Sequence, residues 1–88
     1  MSGPAIAPHS SVCWPFNNAK AGPVSADVSP RSIQVVLGAG TCSAPGAILA
    51  ERDGEVVNAD APAGSNHVTL VNSSDVDVPY TLHVTRWY

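Results

Sequence analysis

Along residues 32–88 apolar and polar positions alternate in short runs, and turn-forming residues separate the runs. Ser32 to Leu37 sets Ile33, Val35 and Leu37 on one face. Ala47 to Arg52 and Glu55 to Ala59 flank Asp53-Gly54. Asp-Gly between β-rich runs predicts a hairpin, because both central turn positions take positive φ. His67 to Asn72 sets Val68 and Leu70 against Thr69 and Val71. Val78 to Tyr88 is the longest run, with Val78, Tyr80, Leu82 and Val84 on one face and Thr81, His83, Thr85 and Trp87 on the other. Ala47 to Glu51 has helix formers, but the turns on either side leave it too short for a helix. These runs predict an all-β chain, a small antiparallel β-sandwich or partly open barrel of about 5–7 strands.

Residues 1–31 show no such period and hold Pro4, Pro8, Pro15, Pro23 and Pro30. Proline removes a backbone donor and interrupts central strands. The expectation is an extended Pro-rich N-terminal arm over residues 1–31 and a β-sandwich domain over residues 32–88. Inside the arm, Val12, Trp14 and Phe16 alternate as in a short edge strand.

With 88 residues, the chain is limited to one domain. Charged residues make up 12%, about half the usual share. The four cations, Lys20, Arg31, Arg52 and Arg86, are scattered, and the net charge is −3. That pattern argues against nucleic acid and against a polybasic membrane surface as partners. Residues 1–7 have no basic stretch, and no apolar run of signal length follows, so no signal peptide is expected here. Cys13 and Cys42 form a candidate disulfide pair; either they are bridged or they are two buried thiols.

The stretch AGSNHVTLVNSSDVDVPYTLHV, with its Gly-led strand and Tyr-Thr-Leu strand, resembles the closing hairpin of pre-peptidase C-terminal domains, which are secreted bacterial β-sandwich modules. The resemblance spans Gly64 to Val84, about a quarter of the chain, and carries no functional residue.

Catalytic and metal chemistry finds little support. His9, Cys13, Cys42, His67 and His83 lack the paired spacing of a zinc site, so no metal or cofactor is expected. Ser65 and His67 share a strand face near Asp60, without a nucleophile elbow. Glu51, Asp53, Glu55, Asp75 and Asp77 fall in turns, where carboxylates stay solvated. Gly38-Ala39-Gly40 lacks the Lys and helix of a phosphate loop, and Asn72-Ser73-Ser74 fits a glycosylation acceptor. The chain is therefore expected not to be an enzyme.

Trp14, Phe16, Arg86, Trp87 and Tyr88 are the candidate partner-binding residues, because aromatic and Arg side chains anchor interfaces. The leading expectation is a structural protein of the virion, a phage capsid decoration or cement protein. It would bind neighbouring shell subunits through its arm and aromatic residues, as a homo-oligomer or part of a large assembly. Residues 32–88 should then stay folded without the arm. The alternative is a secreted bacterial β-sandwich module that binds carbohydrate or protein. A small inhibitor of this kind would insert a turn such as Asp53-Gly54 into its target.

Overall fold

The computed structural model describes residues 5–86, and at Val57 and Arg86 the backbone alone. Its strands are β1 (Ser10–Asn18), β2 (Gly22–Ser29), β3 (Gln34–Gly40), β4 (Pro45–Asp53), β5 (Glu55–Ala61), β6 (Gly64–Asn72) and β7 (Thr81–Arg86). They form two antiparallel sheets, ordered β1-β6-β3-β4 and β5-β2-β7. The fold is an all-β sandwich, as the alternation predicts.

The same alternation builds the core. Val35 and Leu37 of β3 and Val68 and Leu70 of β6 are buried from one sheet. Val24, Ala26 and Val28 of β2, Val56 of β5 and Leu82 of β7 are buried from the other. Fully burying one Val or Leu side chain contributes about 1.5–3 kcal/mol. Opposite faces carry the polar residues; Thr81, His83 and Thr85 of β7 are exposed.

Residues 10–29 belong to the sandwich and not to an arm. β2 is the centre of its sheet, between β5 and β7, and β1 is an edge of the other. The prolines are accommodated by position. Pro15 lies on the edge strand β1. Pro23 pairs with Asp60 of β5, one residue before β2 meets β7 at Val24. Pro30 follows the end of β2, through a cis peptide bond with Ser29. Edge strands and strand ends are where a missing N–H costs least. Ile6 joins the core too, exchanging backbone hydrogen bonds with Val78 (2.9 and 3.0 Å).

Asp53-Gly54 is not a hairpin. β4 pairs with β3 and β5 pairs with β2, so the chain changes sheets at this turn. The Gly54 N–H donates to the Ile33 carbonyl (2.8 Å), and the Gly54 carbonyl accepts from the Val28 N–H (2.9 Å). The β2–β3 connection thus captures the turn and hands the chain to the second sheet. Asp-Gly encodes the positive φ, here 80° at Gly54, but not which strands pair. Gly54 is also buried, which removes the turn as an inserting tip. Likewise β6 and β7 lie in different sheets, so Gly64 to Val84 is a crossing and not a closing hairpin.

Two outcomes follow. A fragment of residues 32–88 lacks the central strand β2 and should give a random-coil circular dichroism spectrum; a folded fragment would contradict this topology. Gly54→Ala would place a Cβ 2.8 Å from the Arg31 Cβ and 3.0 Å from the Arg31 carbonyl oxygen at positive φ. It should lower stability by about 2 kcal/mol in urea denaturation.

Candidate functional site

Among the described residues, β3 and β4 are the one pair of consecutive strands that share a ladder. Their loop, residues 41–44, and the first half of β4 are exposed at every position from Thr41 to Ile48. Ile48 is 65% exposed, which is unusual for so apolar a side chain. Residues 32–50 include no charged side chain and no histidine. The ladder here is irregular. Gln34 to Leu37 pairs evenly with Asp53 to Ala50, and then β4 bulges twice before Gly38 meets Ile48 and Gly40 meets Pro45. Bulges bend an edge strand and re-aim its side chains. Residues 41–48 therefore form an exposed, uncharged tip.

Two contacts mount the tip on the outer face of the four-stranded sheet. The first is a disulfide between Cys42 in the loop and Cys13 on β1, with the Cα atoms 6.0 Å apart. Cys13, Thr69 and Val36 stand in one row across β1, β6 and β3. To reach Cys13 the loop must cross β6. The second contact is His67 of β6, in the row of Pro15 and Gly38. Its ring nitrogen Nδ1 lies 3.2 Å from the Gly40 carbonyl oxygen, the residue that starts the loop. The ring packs so closely on Gly38 that a Cβ there would sit 2.6 Å from Cε1 and Nε2. His67 is only 7% exposed although no second sheet covers that face. Within the loop, the Ala44 N–H donates to Thr41 Oγ1 (2.9 Å).

The opposite face of the sandwich has a different character. There Asp27 of β2 is in register with Glu55 of β5 and His83 of β7, and Asp60 is in register with Pro23. Arg31 lies 3.6 Å from Glu55. One face is thus acidic and polar, and the other carries the uncharged tip.

The structure separates the other residues singled out in the sequence. Trp14 and Phe16 are half-buried and pack against the core. The Trp14 indole N–H donates to the Tyr80 hydroxyl (2.9 Å), and the two rings meet edge to face at 6.5 Å. The Arg86 backbone pairs with Val24, and Trp87 and Tyr88 lie outside the described residues. Cys13 and Cys42 are bridged. His67 bonds the Gly40 carbonyl, while the Ser65 hydroxyl donates to Asn17 Oδ1 (3.2 Å), so the two do not form a relay. His9 pairs with Asp75 at 2.6 Å on an exposed loop. Among the described residues no group of three His, Cys, Asp or Glu is placed to hold a metal ion. Asn72 is buried, with Nδ2 donating to the carbonyls of Ile6, Ala7 and Val76, so it is closed to glycosylation in the folded chain.

The support His67 gives to the loop, and the 41–48 tip itself, are not legible in the sequence. The one sequence signal was the long uncharged stretch around Cys42. Nothing along β6 distinguishes His67 from an ordinary polar strand residue.

No protein-family model matches the sequence, and no curated protein does either. Solved structures that share the fold include two small modules. PliG, a periplasmic lysozyme inhibitor of g-type lysozyme from Aeromonas hydrophila, superposes with a TM-score of 0.78 at 11% identity, over 99% of this chain and 83% of that one. The pre-peptidase C-terminal domain of collagenase from Bacillus anthracis gives 0.67 at 19% identity, over 97% and 86%. At these identities the likeness is one of fold alone.

Replacing both cysteines by serine (Cys13→Ser with Cys42→Ser) should lower unfolding free energy by about 3–4 kcal/mol, the loop-closure value for a 29-residue separation. The urea midpoint of the oxidised chain against the double variant measures it.

Proposed function

We propose that the chain is a non-enzymatic binding module of an oxidising, extracytoplasmic compartment and that it docks a partner protein through residues 41–48. The observation that carries this reading is the tip: eight consecutive exposed, uncharged residues, fixed to the sheet by a disulfide. A fixed segment docks without first losing conformational freedom, which is the main cost for a loop. A charge-free surface also desolvates at little cost in a cleft. The disulfide suits a periplasmic or secreted setting.

The fold likeness to a lysozyme inhibitor supports the inhibitor form of this reading. The virion reading loses its main ground, because residues 10–29 are strands of the sandwich and not an arm free to lie on neighbours. A carbohydrate site needs an exposed aromatic platform, and among the described residues Trp14, Phe16 and Tyr80 are all at least half-buried.

The test uses g-type lysozyme as the probe, in a cell-wall lysis assay with the oxidised full chain. The expected result is saturable inhibition that weakens at least tenfold in Ile48→Asp, while the variant keeps the parent urea midpoint. Absence of inhibition overturns the lysozyme target. Inhibition that Ile48→Asp leaves intact overturns the tip as the contact surface.

A further inference from the structure

We infer that the Cys13–Cys42 disulfide is a redox control on the tip: reduction frees residues 41–48 and leaves the sandwich folded. The inference rests on the reading of 41–48 as the contact surface. Three observations carry it. Every residue from Thr41 to Ile48 is exposed, so no burial holds the segment, and its ladder to β3 is broken by two register shifts, with Ile48 opposite Gly38 and Pro45 opposite Gly40. The buried core is drawn entirely from residues outside 38–48. And the disulfide lies on the outer face, where neither the inter-sheet packing nor the even register of Gln34–Leu37 with Asp53–Ala50 depends on it. Segments with few buried contacts open locally at a small fraction of the global unfolding free energy.

The exchange chemistry is open to a dithiol reductant. Cys42 is exposed and Cys13 is half-buried. A thiolate of the dithiol attacks the Cys42 sulfur, the S–S bond breaks, and Cys13 leaves as a thiolate that takes up a proton. The second thiol of the reductant then displaces Cys42 from the mixed disulfide and closes its own ring. Two electrons pass to the protein, which ends with two thiols. His67 stays beneath Gly40, so β3 remains seated, and the freed stretch is the loop together with the irregularly paired start of β4, Thr41 to Ile48. A freed tip must be ordered again before it docks, and its affinity falls.

Backbone ¹⁵N relaxation on the full chain, with and without dithiothreitol, tests this. In the oxidised chain the strands and residues 41–48 should both show order parameters of about 0.85. After reduction, residues 41–48 should fall below about 0.6 while β2, β3, β6 and β7 keep their values and their dispersed shifts. The Cys13→Ser/Cys42→Ser variant should reproduce the reduced pattern. Order retained at 41–48 would overturn the inference. So would collapse of dispersion throughout the chain, which would make the disulfide a staple of the whole sandwich. No partner is present in this measurement. Its failure therefore leaves the binding reading standing, and a freed tip in a chain that does not inhibit lysozyme would overturn only that target.

Discussion

A chain that passes repeatedly between two sheets leaves backbone carbonyls at each passage without ladder partners, and buried carbonyls must be met. Of the six connections between successive strands, five change sheets. The buried polar residues among those described are Asn18, Asn66, His67 and Asn72, and each serves a connection. Asn66 Nδ2 donates to the Pro62 and Gly64 carbonyls (3.0 and 3.2 Å), and Asn18 Nδ2 approaches the Pro62 carbonyl at 3.5 Å, which closes the passage from β5 to β6. Asn72 ties the N-terminal segment to the start of the β6–β7 passage through three carbonyls and accepts from the Ser74 N–H (3.0 Å). The bond from Asn72 to the Ile6 carbonyl is buried, and a buried carbonyl stripped of its donor costs about 1–3 kcal/mol.

The hairpin between β3 and β4 stands apart because it stays in one sheet. Its loop has no second sheet to rest on, and its exposure follows from that. What fixes it is a covalent bond to a strand two places away, with a histidine side chain as support beneath. The sandwich therefore has a rigid body assembled by burial and a tip assembled by chemistry at the surface. That division makes the tip separable, in stability and in redox sensitivity, from the fold that carries it.

Local pattern made most of the strands legible. Ile33, Val35, Leu37, Val68, Leu70, Tyr80 and Leu82 are buried where alternation places them. Pairing was less legible. Asp53-Gly54 has the chemistry of a hairpin turn, yet hydrogen bonds to Ile33 and Val28, distant in the chain, turn it into a crossing. Proline density hid β1 and β2, because proline reports a local handicap and not whether the strand lies at an edge. Asn72 read as a glycan acceptor for a similar reason: its three carbonyl partners come from opposite ends of the chain. The site was partly legible. The pair Cys13 and Cys42 was identified without its geometry, while His67 acquires its role only when β6 lies between β1 and β3.

We propose that the uncharged tip and the disulfide on the outer face together make a rigid contact segment suited to an oxidising compartment. The most direct test is the redox state of the two cysteines in the protein as it occurs in its host, trapped by alkylation during lysis and read by intact mass. The account predicts a chain that takes up no alkylating group until it is reduced and then takes up two. A native chain already alkylated at both Cys13 and Cys42 would contradict it.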